Sequence, residues 1–361
     1  MAYTTINDPS AYFQTAIYTG NGDSDDDTNA ITNDGNSDLQ PDWVWIKRRD
    51  YDNQPVLHDS NRGVTKFLST DRTDAEGTIS PTTKFQSFDT DGFTTGSSSG
   101  AYNAENEPFV AWQWKANGGT TTAFNESGSN PGGTRQTNTD AGFSIIAYTG
   151  TGSNGTIAHG LPSTPEFIIF KRRNAAQFWC VWHQAIGDDN KLALHLADGL
   201  DADGAFMAST LPTSTNITVG GASVNTNANN GTYICYAFSP IQGYSKFGSY
   251  VGTGVANNGP FVYLGFKPAF VMIKSTTATG GHLMWDLKRS PFNLMDDIIN
   301  AAEADAESTN GIYGIDVLSN GFKVMNTGAN NGTNQAGTKY VYYAFAENPF
   351  TTSTGIPTTA R

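Results

Sequence analysis

Acids and amides crowd one glycine-bounded loop, Asp23-Ser-Asp-Asp-Asp27, with Asn21, Asn29 and Asp34 close by. So many oxygen ligands suit calcium, which takes roughly six to eight of them at about 2.4 Å. The run lacks the bidentate Glu that closes a defined calcium loop, so a solvated hairpin tip is the better reading. Gly96-Ser-Ser-Ser-Gly100 satisfies the G-x-S-x-G pattern of a serine-hydrolase elbow, in which a strand-to-helix turn exposes the serine. Neither a parallel strand before it nor a helix after it is written here. A Gly-Ser turn between antiparallel strands is expected instead.

The five histidines, His58, His159, His183, His195 and His282, are scattered, and no pair has the i, i+4 spacing of a helical metal site. They read as structural or surface residues. Paired carboxylates for glycoside hydrolysis meet only in a fold, and spacing singles out none. Asp42 and Glu166 read as residues that begin strands. Cys180 and Cys235 are expected as buried free thiols, neighbours across one core, since neither has an adjacent base to lower its pKa. No catalytic, cofactor-binding or metal-ligating residue is assigned, no cofactor is expected, and the chain does not read as an enzyme.

The elements around these residues repeat three times, and a repeat decides how the whole chain is read. A proline leads an apolar strand ending in lysine at Pro41-Asp-Trp-Val-Trp-Ile-Lys47, Pro165-Glu-Phe-Ile-Ile-Phe-Lys171 and Pro268-Ala-Phe-Val-Met-Ile-Lys274. A Tyr-x-Gly turn precedes each, at Tyr18, Tyr148 and Tyr250. A six-residue run with aromatics at its first, fourth and sixth places closes each, from Phe109, Tyr233 and Tyr340. Between the anchors lie His58-Asp59, Trp182-His183 and Trp285-Asp286. Short β-branched and aromatic runs between Gly, Asn, Asp and Pro clusters specify antiparallel strands.

The expected fold is therefore all-β, with three tandem antiparallel β-sandwich domains of jelly-roll or lectin-like kind, about 100 residues each, strung as beads. Their boundaries are a first repeat at 12–118, a second at 142–241 and a third at 242–350. An arm at 1–11 and a tail at 351–361 flank them. A Gly/Thr/Asn-rich stretch at 119–141 reads as a linker that lets the first domain swing. One helix is expected inside the third repeat, with Ser290 as N-cap, Pro291 at its first position and Phe292, Leu294, Met295, Ile298 and Ile299 on one face, running to Ser308. A second short helix is conceivable at 61–77. Within Trp43-Val-Trp45-Ile46, alternation places both tryptophans on one face and the aliphatic residues on the other.

Composition narrows the function. With 361 residues, 21 basic and 34 acidic, the chain carries a net charge of -13, which repels nucleic acid and anionic bilayers alike. Charged residues make up 15%, below the roughly 25% usual for soluble proteins, so the surface is largely neutral and polar. No apolar run approaches the roughly 20 residues that span a bilayer, and 1–13 lacks the basic start and apolar core of a secretory signal. Two cysteines make no disulfide framework or zinc site.

The first repeat, through Pro41–Lys47, His58-Asp59, Arg62-Gly63, Asp91-Gly-Phe93 and Val110–Lys115, resembles a domain of unknown function found in marine and other tailed bacteriophages. The resemblance covers roughly residues 12–118 and is weaker over the later copies, which lack the Arg-Gly element. It implies a virion structural protein, a tail fibre, tail appendage or capsid-decorating subunit, assembled in the bacterial cytoplasm. Its partners would be other virion proteins, further copies of itself and a host-surface glycan or receptor. It transfers no site residue. A lectin-like carbohydrate-binding protein, and behind it a glycan depolymerase, are the alternatives.

Overall fold

Alternation gives each Pro-to-Lys anchor two buried faces. In the strand Trp43–Arg48, Trp43 and Trp45 point to a core shared between repeats, while Val44 and Ile46 point to a core inside repeat 1. The computed structural model describes residues 3–22, 28–97, 100–277, 280–309, 311–326 and 332–358. The acidic run at 23–27 and residues 98 and 99 of the Gly-Ser run lie outside the described residues. Among those described, the chain is all-β, with three short 3-10 turns and no α-helix.

Each repeat builds one large and one small antiparallel sheet. In repeat 1 the large sheet orders Phe13–Thr19, Pro108–Trp114, Trp43–Arg48, Val56–Asp59, Lys66–Ser69 and Gly77–Thr78. Repeat 3 copies that order with Ser245–Val251, Lys339–Pro349, Phe266–Ser275, Leu283–Asp286, Asp297–Asn300 and Ser308–Thr309. Repeat 2 does the same with Phe143–Thr149, Thr232–Phe238, Phe167–Arg172, Trp179–His183, Asn190–Ala193 and Asp201–Ala202. The small sheets, centred on Gly92–Thr95, Asn216–Val219 and Gly321–Val324, cover the outer faces. Pairing register fixes the equivalences: Asp59 faces Trp43, His183 faces Phe167 and Asp286 faces Phe270.

The inner faces of the three large sheets meet. Trp43 stacks on Tyr236 with centroids 4.8 Å apart, Phe167 lies 4.1 Å from Tyr343, and Phe13 stacks on Phe345 at 5.4 Å. Burying rings of this size contributes roughly 2–3 kcal/mol each, so the shared core is a dominant stabilising element. The bead-on-string arrangement, with a swinging first domain, is therefore corrected: repeat 1 is packed against both others.

The stretch 119–141 is not a plain linker. Thr122–Phe124 and Gly132–Asn138 are strands, and the second pairs along its whole length with Phe143–Thr149, widening the sheet of repeat 2. Strands added to the side of a sheet are held by ladder hydrogen bonds, so they need few apolar side chains and escape a hydropathy reading. Gly133 also lets the strands approach, since a Cβ there would collide with the Ala147 carbonyl.

The helix expected from Ser290 is absent. Asp297–Asn300 is a strand, and its adjacent Ile298 and Ile299 are both buried because each faces a different core. Two neighbouring isoleucines buried this way imitate a helical stripe. Ser290 Oγ donates to Asp297 Oδ2 at 2.8 Å instead of capping a helix, and Phe292 is 78% exposed. At 61–77 the chain likewise forms the strands Lys66–Ser69 and Gly77 onward. Cys180 and Cys235 are both buried and free, but they flank opposite sides of Phe170 on strands that do not touch. Burial pushes the Cys180 thiol up to about 12 and Cys235 well above its ordinary value.

Both ends of the chain rest on repeat 3. Tyr3 donates to Gly265 O at 2.6 Å, Thr4 Oγ1 to Gln242 O at 2.7 Å, and the Ser353 amide to Asn7 Oδ1 at 2.8 Å. Among the described residues, no helix is long and apolar enough to cross a membrane.

Candidate functional site

The lysine that ends every anchor has one job in all three copies. Lys47 Nζ donates to Ala304 O of repeat 3 at 2.8 Å, Lys171 Nζ to Thr73 O of repeat 1 at 2.9 Å, and Lys274 Nζ to Ala197 O of repeat 2 at 2.9 Å. Each repeat thus grips another in cyclic order, and the three close on one another. The sheet buries the lysine stem while the ammonium is held by carbonyls alone, so burial pulls each of the three down to about 8. Backbone bonds two residues further on repeat the pattern: Glu307 N to Arg49 O, Glu76 N to Arg173 O and Leu200 N to Thr276 O.

Beside these latches lie the seams. Where repeat 1 meets repeat 2, Asp59 Oδ2 accepts from Arg62 Nε at 2.5 Å and from Tyr236 of repeat 2 at 2.6 Å. Arg62 then reaches Glu76 at 3.2 Å, and Arg173 of repeat 2 binds the same carboxylate at 2.7 Å. Where repeat 3 meets repeat 1, Asp286 Oδ2 accepts from Arg289 Nε at 2.6 Å and from Trp112 Nε1 at 3.0 Å. Arg289 reaches Glu307 at 2.9 Å, and Arg49 binds that carboxylate at 2.7 Å. The Arg289 guanidinium also lies over the Trp112 ring, 5.5 Å from its centroid. Repeat 3 therefore carries the arginine of repeat 1, followed by Ser290 rather than glycine, which corrects its supposed absence there.

The seam between repeats 2 and 3 is different. His183 stands in the place of the aspartates, Ile186 in that of the arginines, Leu200 replaces the glutamate and Thr276 the partner arginine. His183 meets Tyr343 edge to face at 5.3 Å, and His282 lies 6.4 Å from the same ring. Burial pushes His183 down to about 3 and His195 to about 4, and holds His282 well below the ordinary value, with the Lys274 and His195 charges adding to the effect. All five histidines are in fact buried, so the surface half of their expected placement is set aside.

Chemically these groups are engaged with one another. Asp59, Arg62, Asp286 and Arg289 have fully buried side chains, and each carboxylate is matched by a guanidinium. Burial works to raise Glu76, but hydrogen bonds from Arg173 and the Arg62 charge hold it below the usual carboxylate range. Glu166 is raised to about 6 by burial, and its Oε2 accepts from Gln184 at 2.7 Å. Asp42 binds the Ala116 and Gly118 amides and the Ser60 hydroxyl, which closes a loop rather than presenting an acid. Among the described residues, no group of His, Cys, Asp and Glu is arranged to hold a metal ion.

The profile of one family, described as Domain of unknown function (DUF7483), matches residues 8–349. The chain belongs to that family. The match spans all three repeats and both seams of repeat 1, so the family domain coincides with the closed unit and not with one copy. No curated protein and no solved structure matches the chain.

Sequence reasoning missed the seams, although a signal was present. Lys-x-Arg occurs at Lys47–Arg49 and Lys171–Arg173, and the complementary Glu76 and Glu307 occur in repeats 1 and 3. Donor and acceptor copies are offset by one repeat, as a ring of three requires.

Proposed function

We propose that this DUF7483 chain is a non-enzymatic structural protein of a tailed-bacteriophage particle. It would be a fibre, tail appendage or capsid-decorating subunit used in assembly or host adsorption. The finer architecture in this reading is three β-sandwiches of lectin-like kind, fused into one unit. Its partners are other virion proteins and further copies of itself, since particle symmetry turns weak contacts into avidity. One observation carries the reading: the lysine and aromatic positions repeated in each copy, and the acidic ones of repeats 1 and 3, are engaged between repeats, and among the described residues they face no reactive cleft. Such a unit suits a mechanical or adhesive role. The test is a cryo-electron reconstruction of the purified particle. Three-lobed density of this chain on tail or capsid is the expected result, and a particle without the chain sinks the reading.

A carbohydrate-binding protein is the second reading, favoured by Phe261 and Tyr263. These rings are 47% and 52% exposed on the small sheet of repeat 3. By register, Ala30 and Thr32 hold those places in repeat 1, and Thr156 and Ala158 in repeat 2. Binding on a glycan array would support this reading, and release of reducing ends from host polysaccharide would point to a depolymerase.

A further inference from the structure

The two residues that follow the seam position and begin the anchor strand close a crevice in two repeats and leave it open in the third. In repeat 1, Ser60 Oγ donates to Asp42 at 2.6 Å and lies 2.8 Å from the Gln136 carboxamide, and the strand Gly132–Asn138 fills the space beside them. In repeat 2, Gln184 Nε2 donates to Glu166 at 2.7 Å and to Phe247 O at 2.7 Å, spanning the seam. Repeat 3 has Ala269 and Leu287 in these places, and among the described residues no strand is added alongside. What remains, between repeats 3 and 1, is a crevice of about 240 Å³.

Its lining has two parts. Ala269 and Leu287, both partly exposed, make a small apolar floor beside the buried Phe13. The rim is polar and balanced in charge: Lys288 binds Asp34 at 2.6 Å, and Lys267 binds Glu347 at 2.5 Å. Asn36 and Asn348 also line it, and their carboxamides enter no hydrogen bond among the described residues. An ion finds no uncompensated charge here. A flat ring with an apolar face and hydroxyls on its edge finds a floor for the one and paired donors and acceptors for the other.

We propose that this crevice binds one pyranose ring, the terminal or branch sugar of a neutral glycan. The volume limits the ligand to a single ring, below the roughly 300 Å³ of ordinary drug-sized sites. Binding is weak per site, with a dissociation constant on the order of 1 mM, as few contacts to one ring allow. The proposal goes beyond the particle role and does not depend on it, because the isolated chain binds sugar whether or not it is found on a virion.

The test is titration of the whole chain with methyl glycosides of the common hexoses, deoxyhexoses and N-acetylhexosamines, followed by saturation-transfer NMR. Saturable binding of one of these classes is expected. The double substitution A269E/L287Q, which rebuilds the plug of repeat 2, is expected to weaken it about tenfold or more, as loss of the main contact surface should. The rim variants Asn36→Ala and Asn348→Ala, which remove no internal hydrogen bond, are expected to weaken it several-fold and decide the matter if the double variant fails to fold. Absence of saturable binding to every glycoside overturns the proposal. So does binding that survives the plug and rim variants, or that is lost in F261A/Y263A instead.

Discussion

Repeat 1 is joined to both neighbours by buried ion clusters, whereas repeats 2 and 3 meet through neutral rings and aliphatic side chains in the same places. Asp59, Arg62, Glu76 and Arg173 fill one seam, and Asp286, Arg289, Glu307 and Arg49 the second. The third has His183, Ile186, Leu200 and Thr276. Yet the lysine latch and its backbone bond are present in all three. Latch and aromatic core therefore set how the repeats are oriented, and the seam chemistry is free to vary on top of them. A buried ion cluster is weak grounds for extra stability, since desolvation offsets much of its attraction. What it does introduce is fragility, because each member depends on its opposite.

The largest difference should appear when one member is removed. Asp59→Ala leaves the buried Arg62 guanidinium only Glu76, which Arg173 already binds, and Asp286→Ala leaves Arg289 only Glu307, which Arg49 already binds. Each should cost about 3–5 kcal/mol, the usual result of removing one partner of a buried ion pair. His183→Ala leaves a cavity but no charge, so about 1–2 kcal/mol is expected. Urea unfolding midpoints at neutral pH, with the slope held common, measure all three. Equal losses for His183→Ala and Asp59→Ala would erase the distinction between the seams.

How much of this was visible beforehand depends on the kind of signal. The alternation Trp43-Val-Trp45-Ile46 announces a strand with two buried faces, and the structure places those faces in two cores. It cannot announce that the tryptophan face meets other repeats, because burial against a neighbour and burial within a sandwich leave the same pattern. Gly132–Asn138 reads as linker because its stability resides in backbone pairing, to which hydropathy is blind. Ile298 and Ile299 read as helical because a strand between two cores buries consecutive residues. The seam arginine of repeat 3 was hidden by Ser290, which follows it where repeat 1 has Gly63. Of the candidate crevice only the substitutions Ala269 and Leu287 are legible; that they open a space requires the fold.

Acid should separate the seams next. His183 is held neutral, down to about 3, whereas the unfolded chain takes up a proton near pH 6.5. Above pH 6.5 this group imposes no penalty. As pH falls below 6.5 the unfolded state binds the extra proton, so stability is lost progressively down to the folded value. At pH 5 His183 by itself accounts for about 2 kcal/mol. His195, down to about 4, and His282 act in the same direction, against the Lys171, Lys274 and Lys339 charges around them. Glu76 is depressed, so its contribution is present above its ordinary carboxylate value and fades only as pH falls through the lower folded one. His58, next to Asp59, is also held well below its ordinary value by burial and by the Arg62 charge. Hydrogen exchange at pH 7 and pH 5 should therefore show protection falling first at 57–59, 179–195 and 282–284, ahead of 297–309, where the ion seam of repeats 3 and 1 holds no histidine. Loss beginning at 297–309 would mean that the ion pairs, not the buried histidines, are the acid-sensitive groups.

The smallest effect is expected from converting one kind of seam into the other. The set H183D/I186R/L200E/T276R writes the charged solution into the seam of repeats 2 and 3. The site is prepared for it: the Tyr343 hydroxyl is buried without a partner, while its equivalent Tyr236 donates to Asp59. A carboxylate at 183 would give Tyr343 that acceptor. Because a complete buried cluster and a well-packed neutral one differ little in net stability, the melting temperature at pH 7 should shift by only a few degrees, about 1 kcal/mol in either direction. The acid response should move much further, with the early loss at 179–195 delayed toward the carboxylate range. A set that folds with unchanged acid sensitivity would assign that sensitivity to the other four buried histidines, and a set that loses several kcal/mol would mean that the latch does not by itself hold the repeats in register.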